Sequence, residues 1–592
     1  MKRIFAFLVM LMTVIILGAL VIPVIAQEDV EPGEGGTLIT PNSSGDPASF
    51  NPIIGADTAS SQVYGFLYPA IIGLNPQTGL EEPGVDGAMA ESWEYDETGT
   101  VLTITLREDL FWNDGTPITS ADYLWAVEAT RSGLTSSARG YVFETLADGT
   151  PAGGKVVSIE APDEYTVVVT FSEPDCIAFS DVNDITPVPA HIFSELYGTD
   201  YALMDEDPRA IPTVTFGPFK DIEFAPGERV SLVDDQSYVD TQLGYIAPGE
   251  WIYLSVPDTT VAVERFLAGE LTYMGIPANR QAELRGNADF QVYETTQTGF
   301  QYMAYNLANP ANPQPGLDEN GDTVEQEPHP IFGDVRVRQA LAHAVDVDAM
   351  IEGILQGNGL RINTHTIPTS WVQPDLEPYA FDPDLAKQML AEAGWVDDDD
   401  NNDTPLVCQG CAYTSVDPTF EGSPFTFILH TNSGNVQREQ IGETIDAQLG
   451  DIGVDVNYEA IEFGTLVDEA QGQTFDAIIL GWSLGLPVDP DVSAFYTPEV
   501  DVPTSGFGFT SYNNPELNDL LQQARTVTGC AQEDRAALYE QALTILYEDQ
   551  PYLYLYVGNV MTAAQNSVTS FAPTPYGSAW NIDAWTNLEE NN

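Results

Sequence analysis

An α/β fold is predicted by two features of the chain and bounded by its composition. Strand-like runs at 425–429, 454–458 and 475–480 are separated by helical patterns at 435–449 and 463–471, and strands alternating with helices build an α/β lobe. Earlier, Leu102, Ile104 and Leu106 share one face of 101–106, and Val167, Val169 and Phe171 share one face of 166–171. That period of two marks half-buried strands. With 592 residues, 43% of them hydrophobic and only 18% charged, the chain has material for several domain-sized cores.

Lys2 and Arg3 precede an apolar stretch from Ile4 to Ile25, and Val24-Ile25-Ala26 resembles a small-residue cleavage site before Gln27. Residues 1–26 therefore read as a signal peptide or an N-terminal anchor, and the Pro-, Gly- and acid-rich 27–35 as a linker. No cysteine stands beside the cleavage site, so no lipid attachment is expected, and no later apolar run is long enough to span a bilayer. Thr37–Thr40 is a short β-type run and Ser60–Tyr68 is helix-like. Asn113-Asp114-Gly115 is a turn, followed by a helix with Ser120 as its expected N-cap. Farther on, Asp382 caps a helix, Pro383 takes its first position and Gly394 closes it, with Ala386, Met389, Leu390 and Ala393 on one face. Leu538, Ala542 and Ile545 set a helical spacing within 535–548, and no internal repeat is present.

Asp and Glu number 90 against 19 Lys and Arg, a formal net charge of −71. Nucleic acids and anionic lipids are held through Lys and Arg, so neither is an expected partner. The acids run along the whole chain, which suits a solvated exported surface. Cys408 and Cys411 frame a two-residue loop and could bridge locally, whereas Cys176 and Cys530 have no close neighbour and their pairing stays open. A four-cysteine zinc site would need a second close pair. Oxygen ligands alternate at Asp397, Asp399, Asn401 and Asp403, and again over 318–322, the spacing of a calcium loop without its closing Glu. A structural calcium ion at 397–403 is thus set against a solvated acidic turn. No hydrolase, metalloprotease, P-loop or dinucleotide motif occurs, and the five histidines are scattered, so no enzyme and no organic cofactor is expected.

Several segments recur in a known order. They are Ala90-Glu91-Ser92-Trp93-Glu94, Phe111-Trp112-Asn113-Asp114-Gly115-Thr116-Pro117, Phe332-Gly333-Asp334-Val335-Arg336-Val337-Arg338-Gln339-Ala340-Leu341, Ala391-Glu392-Ala393-Gly394-Trp395, Gly481-Trp482 and Tyr512-Asn513-Asn514-Pro515. In this order the chain resembles the family 5 extracellular solute-binding proteins, the dipeptide, oligopeptide and nickel binders of ABC importers. The resemblance implies an α/β, two-lobed periplasmic-binding-protein-like fold (type II, cluster C) with an extra inserted α/β domain. Lobe I would comprise 36–75, 185–297 and 551–592, the inserted domain II 76–184, and lobe II 298–550, with hinges near 297 and 550. Asp334 would cap the following helix, and Arg336 and Arg338 would hold buried or interface carboxylates.

The implied function is that of the substrate-binding component of an ABC importer. A monomer would capture a peptide or similar small solute between its lobes, in the periplasm or on the outer face of the membrane, and deliver it to the permease and ATPase. A surface receptor, adhesin or chaperone on the same fold is the alternative, and an exported hydrolase the remotest. In the peptide binders resembled, an Asp shortly after the cleft Trp holds the ligand amino terminus. Here Ser483, Leu484 and Gly485 follow Trp482, and the next acid is Asp489. Dipeptide binders carry an Arg after the strand at 425–429, where this chain has His430-Thr431-Asn432-Ser433-Gly434. Thr431, Asn432 and Ser433 would offer neutral donors, with Ser433 equally read as a helix cap. Tyr64, Tyr302, Trp371 and Trp482 are the candidate aromatic walls.

Overall fold

The computed structural model describes residues 33–85, 87–238, 248–399, 401, 404–486, 488–504 and 506–587. The export segment, most of the linker, and Asp403 of the acidic loop lie outside the described residues.

The strict alternation at 101–106 and 166–171 folds as read. Ala90–Tyr95, Val101–Leu106, Thr166–Phe171 and Val156–Asp163 form a four-stranded antiparallel sheet in that order. Its buried face packs on the helix Ser120–Arg131, whose N-cap is Thr119 rather than Ser120. Thr119 wins because Asp122 sits three residues on and returns a bond to the Thr119 N–H, completing a capping box. A second sheet runs Thr37–Asn42, Glu250–Ser255, Arg229–Asp234, Phe219–Ala225. Its Leu38, Leu232 and Trp251 share one continuous core with Ile104, Tyr123 and Val169 of the first sheet's layer. These two parts therefore form one body.

The largest sheet has seven strands. Its path is Tyr273–Ile276, Tyr552–Gln565, Phe290–Tyr305, Ala477–Ser483, Thr426–Asn432 and Asp455–Ile461, and Gly359–Arg361 also pairs with Tyr552–Gln565. The last three strands on this path run parallel and are joined by the helices Val436–Gly450 and Phe463–Gly472. The predicted α/β alternation is thereby realised. Apolar faces on both sides of the sheet are covered, one by Ile441, Ile445 and Leu449, the other by Leu517, Leu521 and Leu543.

Two strands of this sheet are unusually long, Phe290–Tyr305 with 16 residues and Tyr552–Gln565 with 14. Their ladder shifts register twice, between Thr296 and Phe300 and again between Gln301 and Tyr302, and the first shift is the larger. Thr296 faces Asn559 and Phe300 faces Val557, so Gln297, Thr298 and Gly299 stand opposite Gly558 alone. Such a bulge breaks the regular pairing and bends the ribbon. On one side of it, 290–296 and 559–565 pair with each other, and 561–564 pair in turn with the strand Tyr273–Ile276. On the other, 300–305 pair with the strand Ala477–Ser483. The molecule is two-lobed, and these two strands run through both lobes.

The helix Pro383–Glu392 carries the predicted Asp382 cap and ends before Gly394. Gly394 has φ +91°, and a Cβ there would lie 2.7 Å from the Cys411 nitrogen, so glycine is required. Cys408 and Cys411 are bonded to each other, and Cys176 is bonded to Cys530 across a separation of 354 residues. Asp334 caps its helix and pairs with Arg336. Arg338 departs from expectation. It is buried and donates to the carbonyls of Phe332, Asp549 and Gln550 rather than to a carboxylate.

Candidate ligand-binding cleft

The three parallel strands end at Asn432, Ile461 and Ser483 on one edge of the sheet. In open α/β sheets ligands bind beyond such carboxyl ends. The strand Phe290–Tyr305 runs antiparallel to Ala477–Ser483 and pairs Gly299 with Ser483, so the bulge lies at this same edge. Two helices begin there, capped by Asn435 and Glu462. The cap is Asn435, not Ser433, which is exposed.

Trp482 organises one flank. It is half-buried, and its ring lies 4.9 Å from Phe495, 5.1 Å from Phe507 and 5.8 Å from both Phe509 and Tyr302. Its Nε1 donates to the Tyr552 hydroxyl at 3.3 Å. Phe507 is 51% exposed and Leu486 38%, so the cluster presents an open aromatic shelf. Leu484 is half-buried, held by its N–H to the Thr298 carbonyl at 2.8 Å, and Ser483 and Gly485 are exposed. Behind the shelf the rings are sealed. Tyr302 is 0% exposed and stacks on Tyr552 at 4.3 Å, which makes it the support of the shelf rather than a wall. His365 donates to or accepts from Tyr496 at 2.8 Å, and burial pushes its pKa down to about 3, so it packs as a neutral ring.

Thr431 is also fully buried, donating to the Ile479 carbonyl at 3.0 Å, so it fastens two strands instead of facing a ligand. Asn432 has a different task. Arg438, in the first turn of the next helix, folds back to the strand end. Its Nε donates to Gln301 Oε1 at 2.8 Å and its Nη1 to Asn432 Oδ1 at 2.9 Å. Among the described residues no carboxylate pairs with it, and burial lowers its pKa. A Cβ on Gly481 would lie 2.9 Å from Arg438 Nη2, so glycine leaves the room that this group occupies. A charge held only by neutral amides, in a chain of net charge −71, has the chemistry to pair with an anion. The loop at 430–434 carries no Arg of its own, and the cation that reaches it stands three residues beyond the helix cap Asn435.

Beside Arg438 the bulge bounds a cavity of about 450 Å³, lined by Gln297, Gln301, Gly558 and Asn559, by Gln437 and Gln440 of the Arg438 helix, and by Gln281 and Asn358. Asn358 donates to the Gln281 side chain and, at 3.3 Å, to the Asn559 carbonyl, joining these segments through neutral amides.

The remaining predicted residues lie apart. Tyr64 is half-buried in the N-terminal lobe, where its hydroxyl accepts from Arg139 at 3.1 Å, and it lines a separate cavity of about 420 Å³ with Trp580. Asp489 accepts from Arg535 at 2.8 Å, and Arg535 also lies over the Trp371 ring at 5.4 Å. Asp489 is thus already neutralised. In the acidic loop, Asp397 and Asp399 accept backbone N–H groups of Asp399 and Asn401. Among the described residues no group of three or more His, Cys, Asp or Glu side chains could hold a metal ion. Nor, among them, is any helix long and apolar enough to cross a membrane.

Comparison with known proteins agrees with this architecture. The Bacillus subtilis oligopeptide-binding protein AppA is 26% identical over 562 residues, covering 94% of this chain and 92% of the relative. Heme-binding protein A of Haemophilus influenzae is 25% identical over 509 residues, covering 83% of this chain and 82% of the relative. The structure of the former with a nonapeptide superposes with a TM-score of 0.63 at 24% identity, covering 94% of this chain and all (100%) of that one. HbpA2 of Haemophilus parasuis gives 0.72 at 20%, covering 93% and 100%. The model described as "Bacterial extracellular solute-binding proteins, family 5 Middle" matches residues 84–501. The chain belongs to the family 5 bacterial extracellular solute-binding proteins.

Proposed function

We propose that the chain captures a peptide between its lobes, without turnover, as the solute-binding component of an ABC importer. The observation that carries this reading is Arg438, a half-buried cation with no carboxylate partner among the described residues, at a strand-end edge that also bears the Trp482 shelf. An anionic ligand group offsets the cost of holding such a charge away from water, and the shelf takes apolar side chains. In this reading lobe I comprises 36–75, 185–297 and 551–592 with domain II at 76–184, and lobe II comprises 298–550. The bulge of 297–299 opposite Gly558 supports a turning point there. Ligand stabilises the closed state because only there do both lobes touch it. The relatives' names, oligopeptide- and heme-binding, frame the choice of solute.

Calorimetry with a pool of nonapeptides and its C-terminally amidated counterpart tests this. A charged hydrogen bond contributes about 1.5–3 kcal/mol, so Arg438→Gln is expected to weaken the free-acid pool roughly 10- to 100-fold and the amidated pool little. No saturable heat from either pool, with heme or a nickel chelate bound instead, would refute the peptide reading.

A further inference from the structure

Where domain II meets the second lobe, a cavity of about 400 Å³ is lined by residues that belong neither to the Trp482 shelf nor to the cavity beside Arg438. Trp93, Tyr95 and Phe179 come from domain II and Trp371 from the other lobe. Trp93 and Phe179 lie 5.1 Å apart, centroid to centroid. Four carboxylates line the cavity, Glu81, Glu82, Glu94 and Asp489, against one cation, Arg535. That cation is already engaged by Asp489 at 2.8 Å and Tyr539 at 2.9 Å. Glu82 is satisfied by Asn75 at 2.9 Å and Thr78 at 3.2 Å.

Two acceptors are left over. Glu81 Oε1 and the Tyr95 hydroxyl are buried without a hydrogen-bond partner. A buried polar atom without a partner costs stability, and burial accordingly pushes the Glu81 pKa up to about 7, an effect its Ser180 contact only partly reverses. The missing group must donate hydrogen bonds, carry positive charge and tolerate aromatic walls. A hard metal ion fails the last requirement, since it seeks several oxygens. An ammonium group on an alkyl chain meets all three, because ring faces attract cations and its methylenes bury against them.

We propose that this junction is a binding pocket for an alkylammonium group, which donates to Glu81 Oε1 and Tyr95 Oη and lays its chain against Trp93 and Phe179. The group can belong to a free diamine or to a lysine side chain of a captured peptide. Calorimetry on the full-length protein with cadaverine and with 1-pentanol, its neutral counterpart, tests the pocket. Saturable binding is expected for cadaverine alone, weakened at least tenfold in Glu81→Gln and unchanged in Trp482→Ala. Should Glu81→Gln fail to fold by circular dichroism, Tyr95→Phe takes its place, with a smaller loss expected. A second arm compares Ala-Lys-Ala with Ala-norleucine-Ala. A preference for lysine that vanishes in Glu81→Gln assigns the pocket to a peptide side chain, and equal binding of the two tripeptides assigns it to the free amine. The pocket reading is overturned if cadaverine gives no saturable heat, or binds wild type and Glu81→Gln alike. Because Trp482 is outside the pocket, failure here and failure of peptide capture are separable.

Discussion

The double replacement Cys176→Ser/Cys530→Ser is expected to lower stability by about 5 kcal/mol, on the chain-entropy account of a disulfide closing so long a loop. It is also expected to widen the gap between the lobes. Cys176 adjoins Ala178 and Phe179 of the core that the first two sheets share, and Cys530 lies between the helices Pro515–Arg525 and Gln532–Asp549, which pack into a separate core. The bond is reinforced on both sides. Cys176 N donates to the Arg525 carbonyl at 2.8 Å, and the Arg525 guanidinium pairs with buried Asp175. The lobes are therefore joined twice, through the two long strands and through this clasp. A body fastened at two points can rotate about the line between them but cannot swing freely about either. Removing the clasp restores the second freedom, so the free variant is expected to show a larger radius of gyration in solution scattering. The matched control, Cys408→Ser/Cys411→Ser, opens a bridge between residues only three apart and should leave the scattering unchanged. An unaltered denaturation midpoint and scattering curve in Cys176→Ser/Cys530→Ser would show that the clasp constrains nothing.

The same clasp marks the limit of sequence reading. Cys408 and Cys411 could be matched because three residues fix their separation, whereas the partner of Cys176 depends on two domains meeting 354 residues apart. Local signals were legible. The alternation at 101–106 and 166–171 gave both strands because one face of each is buried, and Asp382-Pro383 with Gly394 bounded a helix. Thr119 was legible too, since Asp122 stands where its capping box requires, but Ser120 offered an equally good hydroxyl one residue on. Non-local polar partners were not. Arg338 bonds to carbonyls at a helix end 211 and 212 residues away, and nothing near it in sequence announces that. In the cleft, residue type identified Trp482, but Tyr302 could be assigned to the buried side only once its ring was seen against Tyr552. Arg438 carries no local sign of its place in the cleft, because its side chain reaches the loop from a helix turn beyond it.

Trp482→Ala is expected to weaken binding of the nonapeptide pool roughly 30-fold, the equivalent of about 2 kcal/mol for a central aromatic anchor. The fold should survive. Trp482 is only half-buried, and Phe495, Phe507 and Phe509 remain packed around the vacated space. Its one hydrogen bond, to the Tyr552 hydroxyl, leaves an acceptor that Trp482→Phe would orphan equally, so the two variants separate ring area from polar contact. Trp482→Phe is expected to retain most of the affinity if the shelf acts through its apolar face. Calorimetry reads both, with thermal denaturation as the check on folding. An unchanged affinity in Trp482→Ala would move the ligand off this shelf. It would then belong in the cavity beside Arg438, where Gln281 and Asn358 offer amides instead of rings and favour a polar solute over an apolar side chain.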